Sequence, residues 1–138
     1  MASATATDLT KKYRPLFFGT AIYSWLTAIS MLKPAGGFEA FGITPIPEEN
    51  NVLHICCLFI GAFGCVYYWA SRDLYANREL VWLGVALKAG NIIVAIVDVC
   101  IGTISWQYLL LLAPDMILIT VFRAILREVN EQEEGKKK

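Results

Sequence analysis

The sequence predicts an all-α protein: a polytopic membrane protein whose four transmembrane helices form a bundle, with the N and C termini on the same, cytoplasmic, side. Three observations predict it. Hydrophobic residues make up 57% of the 138-residue chain and charged residues only 17%, against about 45–50% and about 25% in soluble domains. The apolar residues gather in four stretches, each long enough to cross a bilayer. Basic residues crowd the segments that four crossings bring to one face. One compact membrane domain, residues 1–138, is the expected organisation.

The first stretch, residues 16–32 (LFFGTAIYSWLTAISML), has about 17 residues, the short end of a spanning helix. The polar N-terminal segment ahead of it has no signal-peptide pattern, so this span is expected to insert and stay. Residues 52–70 and 108–126 supply about 19 residues each, and residues 80–101 about 22. Backbone groups in hydrocarbon must bond internally, which makes these segments helices. A soluble four-helix bundle would need polar faces at helical spacing, and the second span has almost none.

Residues 33–51 form a long outer connection in which Pro34, Pro45 and Pro47 alternate with Phe38, Phe41, Ile43 and Ile46. It reads as an interfacial loop or as a lid over a cavity. Residues 71–79 make a short charged loop, and residues 102–107 a tight outer turn that sets the third and fourth spans antiparallel. Pro114 is expected to kink the fourth span just before Asp115, freeing a carbonyl near Leu110 that Thr103, Gln107 or water would satisfy. The tail, residues 127–138, is charged and is expected to fray into solvent.

An even number of crossings leaves both termini on one side. That side holds Lys11, Lys12, Arg14, Arg72, Arg78, Arg127 and Lys136 to Lys138; the other holds only Lys33. The positive-inside rule makes the richer side cytoplasmic. Trp69, Trp82, Trp106, Tyr13 and Tyr108 lie near span ends, where aromatic anchors sit.

Charge inside a membrane persists when it is paired, wetted or used. On the third span Lys88, Asn91 and Asp98 fall within roughly 80° of one another, a polar stripe expected to face inward. The fourth span offers Asp115, and His54 begins the second span near the depth of Asp98. At about 1.5 Å per residue, Lys88 lies roughly 19 Å and Asp115 roughly 10 Å below the outer turn. With axes about 8–10 Å apart, their Cα atoms are about 12–13 Å apart, near the limit for contact. Side-chain lean points the two apart, so an Asn91–Asp115 hydrogen bond or a snorkelling Lys88 stands beside the ion pair. Two readings of Lys88, Asn91, Asp98 and Asp115 stay open: a zipper that fixes helix packing, or the polar floor of a cavity that binds a headgroup, a quinone or a proton. His54 is a secondary member of that set.

Cys57, Gly61 and Cys65 recur every four residues, and Ser24 and Ala28 offer a matching pair, which suits close helix packing within one chain or across a dimer face. Cys56, Cys57, Cys65 and Cys100 form no C-x-x-C pair, so buried thiols are expected rather than disulfides or a metal site. A single histidine excludes bis-histidine haem, and no phosphate loop, H-E-x-x-H or G-x-S-x-G occurs. No catalytic residue, metal or cofactor is therefore expected, with a quinone left open. No nucleic-acid module is present in the sequence.

The stretches LKPAGGFEAFGI (32–43), LGVALKAGNIIVAI (83–96) and LLLLAPDMILITVFRAIL (109–126) resemble those of the DoxX-like group of small four-helix membrane proteins. The likeness spans about residues 13–126, and Lys88 and Asp115 fall on the group's polar positions. The resemblance implies the fold, and a role as a non-catalytic accessory or assembly subunit acting through helix–helix contacts. Its expected partners are the lipid bilayer and other membrane proteins or a second copy. Some members of the group are tied to sulfur or quinone redox chemistry, which keeps a lipid- or quinone-binding module as the alternative. A small proton-coupled carrier is a third.

Overall fold

The computed structural model describes residues 4–32 and 50–135, with side chains from Leu9 and from His54 onward. The described residues form five helices: α1 (Ala4–Met31), α2 (Asn50–Arg72), α3 (Arg78–Cys100), α4 (Gln107–Leu111) and α5 (Ala113–Gly135). None of them is in a strand. The outer connection expected as a loop or lid lies almost wholly outside the described residues.

Two helices, α2 over His54–Arg72 and α3 over Arg78–Cys100, are each long and apolar enough to cross a membrane. The expectation was four such helices, and the other two differ for visible reasons. Helix α1 is continuous but carries Lys11, Lys12, Arg14 and Pro15 in its first half. The fourth stretch is not one helix: it breaks at Leu112, and α5 then runs on through Arg123, Arg127 and Glu128.

That break replaces the expected kink. Proline is tolerated in a first turn, where its missing N–H leaves no bond unmade. Pro114 therefore sits as the second residue of a new helix instead of bending an old one. The cap at Leu112 supplies backbone N–H groups to the carbonyls of Leu109 and Leu110, so no side chain or water is needed there. At the end of α3, Gly102 (φ +78°) takes the left-handed conformation. Its N–H donates to the Val99 carbonyl and that of Thr103 to the Asp98 carbonyl, the paired bonds of a Schellman ending.

Helices α1 and α2 pack closely along their length. A Cβ on Gly61 would lie 3.8 Å from Ala28, and Gly64 faces the indole of Trp25. The Trp25 Nε1–H donates to the Gly61 carbonyl at 3.2 Å, which gives this mid-helix tryptophan its polar partner. The small-residue stripe thus serves packing within the chain, and runs Cys57, Gly61, Gly64. Cys65 is turned outward. Only Cys57 is buried; Cys56, Cys65 and Cys100 are exposed, contrary to the expectation of buried thiols. Hydroxyls on α1 bond back to their own helix, Thr20 to the Leu16 carbonyl and Thr27 to that of Tyr23, which spares them a partner elsewhere.

Helix α3 packs on α5, and one core joins all four long helices. Phe17 of α1 stacks on Phe122 of α5 (centroids 4.8 Å, 13° between planes), and Tyr67 of α2 tilts against the same ring at 5.3 Å. Val81, Leu126, Val129 and Leu74 complete a fully buried layer toward the chain ends. Over its described residues, to Gly135, the tail does not fray: α5 continues through them, with Val129 buried. Lys12 and Tyr13 hydrogen-bond Glu128 at 3.0 and 2.5 Å, Tyr75 donates to Gln132 at 2.8 Å, and Arg78 pairs with Glu133. These contacts bring the first turns of α1, the α2–α3 loop and the end of α5 to one end of the molecule.

Candidate functional site

Helix α3 presents Lys88 and the first turn of α5 presents Asp115, and the two form an ion pair. The break at Leu112 creates the position of the acid. As third residue of α5, Asp115 lies at a helix N-terminus, where the backbone dipole favours negative charge. Each side chain is only 16% exposed. An unpaired charge in such a place is more costly than the rotamer adjustment that brings Lys88 across. The pair therefore forms despite the unfavourable lean of the two side chains.

Tyrosines of three helices lie within electrostatic range of the acid. The field of Asp115 reaches the hydroxyls of Tyr23 on α1, Tyr67 on α2 and Tyr108 on α4. Tyr67 is fully buried, and its hydroxyl has no hydrogen-bond partner among the described residues. It lies over Gly84, one turn below Lys88 on the same face of α3; a Cβ there would come within 2.8 Å of it. Tyr108 meets Asn91, and Gln107 beside it holds a buried Oε1 that also lacks a partner among the described residues.

The structure therefore brings some of the sequence candidates together and parts others. Lys88 and Asp115 pair. Asn91 is exposed at the edge of α3, and the hydrogen bond to Asp115 that the sequence left open is not made; Lys88 makes it instead. Asp98 is half-buried, acts electrostatically on Tyr108 and gives its carbonyl to the Schellman turn. His54 is exposed and makes no hydrogen bond or ion pair with Asp98. Tyr67, Tyr108 and Gln107 are the members that sequence reasoning missed. The available signal was the spacing of Gly84 and Lys88, four residues apart and so on one face. A glycine there marks the close approach of another group.

Beside this centre, between α1 and α5, lies an open groove of about 380 Å³. Pro15, Gly19 and Tyr23 line one wall, Pro114, Ile117 and Leu118 the other. No group of three metal-ligating side chains occurs among the described residues. The site can hold a hydrogen-bonding ligand or a proton, since Lys88 retains N–H donors beyond the one it gives Asp115. No protein-family model matches the chain, and no curated protein or solved structure matches it either.

Proposed function

We propose that this chain is a multi-pass membrane protein of the DoxX-like type, crossing the bilayer four times with both termini cytoplasmic. Its proposed role is that of an accessory or assembly subunit acting through helix–helix contacts. The observation that carries this reading is the inversion of surface and interior. Only 28% and 22% of the apolar windows of α2 and α3 are buried, and Leu58, Phe59, Ile93, Ile101, Leu110 and Ile117 are more than half exposed. Meanwhile a lysine and an aspartate turn inward to each other. Hydrocarbon suits such an exterior and water does not. Four crossings place the end bearing Lys11, Lys12, Arg14, Arg72 and Arg78 in the cytoplasm.

The test is gentle solubilisation from native membrane followed by size and composition analysis. Co-purification of a second polypeptide in fixed proportion is the expected result. A lone monomer with measurable turnover, or release into buffer without detergent, overturns the reading. The Lys88–Asp115 centre beside an apolar groove favours a second reading, a lipid- or quinone-binding module. Unaltered lipid or quinone retention in Lys88→Met and Asp115→Asn eliminates it.

A further inference from the structure

We infer that water enters the outer half of the helical interior and delivers protons to a cluster of Lys88, Asp115 and Tyr67 from the outer face alone. This rests on the four-span reading, and the outer face is the one bearing Gly102 and α4.

Two orphaned groups mark the path. The Gln107 Oε1 lies at its outer end and the Tyr67 hydroxyl at its inner end, both buried and neither partnered among the described residues. Native folds pair such groups, and where protein supplies no partner, ordered water does. Between them come Tyr108, next to Gln107 on α4, and then the Asp115–Lys88 pair. A water beside Tyr67 has the partners that a buried water needs. These are the tyrosine hydroxyl, the remaining Lys88 N–H groups and the second carboxylate oxygen of Asp115.

The path ends at Tyr67. Beyond it Phe17, Phe122, Val81, Leu126 and Val129 have zero exposure. The hydroxyls of Thr20 and Ser71 are turned back onto carbonyls of their own helices. The charged pairs of that half, Lys12–Glu128 and Arg78–Glu133, lie at the far end, and Arg14, Arg72 and Arg123 are exposed. Of the other ionisable groups, Tyr23 from α1 and Tyr108 from α4 feel the charge of Asp115, while Cys56 from α2 and Asp98 from α3 act on Tyr108. The step itself is simple: a hydronium from the outer solution transfers its proton to the Asp115 carboxylate, leaves as water, and the Lys88 ammonium loses its counter-charge.

Accessibility to membrane-impermeant thiol reagents tests this in sealed membrane vesicles of known orientation. The background carries Cys56→Ser, Cys57→Ala, Cys65→Ser and Cys100→Ser. Ala95→Cys, in the outer half of the interior, is expected to react from outside only. Ala70→Cys, in the inner half, is expected to react from neither side. Thr103→Cys and Ala76→Cys report the two surfaces and must react from opposite sides. If both react from the same side, the four-span reading fails and the inference with it. If they divide as expected but Ala95→Cys is silent, or reacts from the cytoplasmic side, only the inference is overturned. An infrared titration of the otherwise native chain gives a second readout. The carboxyl band lost in Asp115→Asn should follow external and not internal pH, and should shift in Tyr67→Phe. A band that follows internal pH, or does not titrate, overturns the proposal.

Discussion

Gly64 and Trp25 occupy one space. A Cβ added at Gly64 would lie 2.3 Å from the Trp25 Nε1, and that indole is held by its bond to the Gly61 carbonyl. The ring cannot swing aside without losing the bond in an apolar setting. Gly64→Ala is therefore expected to destabilise by about 1–3 kcal/mol, the range for overpacking. Gly61→Ala, whose Cβ meets only ordinary contact with Ala28 at 3.8 Å, should cost less. Detergent-phase unfolding followed by tryptophan fluorescence separates the two, and equal losses would refute the packing account. The same reasoning applies to charge. Lys88→Met strands Asp115 and should cost about 3–5 kcal/mol, the range for removing one partner of a buried pair. Lys88→Met with Asp115→Asn should recover much of it.

At the scale of the element, the end of α5 shows what charge density hides. The run from Arg127 reads as a solvated tail, yet Phe122, Leu126 and Val129 fall at helical spacing and all three are fully buried. The periodicity was legible; the many charged neighbours outweighed it. Those charges are what secure the helix. Hydrogen bonds from Tyr13 and then Lys12 hold the Glu128 carboxyl below its ordinary range. Tyr13 and then Glu128 raise Lys12 above its ordinary 10.5. A lowered carboxyl contributes stability that is present above its unfolded pKa and lost as pH falls through the folded one. A raised amine contributes below 10.5 and loses it as pH rises past its folded value. Attachment of the α5 end to α1 should thus hold through neutral pH and weaken on both sides. Protection factors of the amides in residues 127–135, after division by the intrinsic exchange rate at each pH, should fall at acid pH, and Glu128→Gln should remove that acid dependence. An unchanged fall in Glu128→Gln would assign it to another group.

For the whole molecule, the legible features were those set by local pattern: long apolar helices, the tight turn after α3 and the inward Lys88; the rest of the expected inward stripe was not, since Asn91 is exposed and Asp98 half-buried. Depth counting placed Lys88 and Asp115 at the edge of reach, and the structure pairs them. What sequence could not carry depends on tertiary fit. Pro114 is compatible with a kink or with a fresh first turn, and only the path of α4 after the turn that ends α3 decides. Cys65 falls on the same four-residue repeat as Gly61, but Trp25 selects Gly64 as the neighbour instead.

An exchange of charges distinguishes a packing zipper from a proton site. In Lys88→Asp with Asp115→Lys the two charges still meet across α3 and α5, so a pure zipper would regain most of its stability. The recovery should nonetheless be partial. A lysine in the first turn of α5 opposes the helix dipole that favours Asp115, at a cost of about 0.3–1 kcal/mol or somewhat more when half-buried. The carboxylate, now on α3, also loses its position among Tyr23, Tyr67 and Tyr108. Stability should therefore return most of the way while the response of the carboxyl band to external pH is abolished. Retention of that response in the exchanged chain would mean that proton delivery does not depend on the position of the carboxylate among the tyrosines.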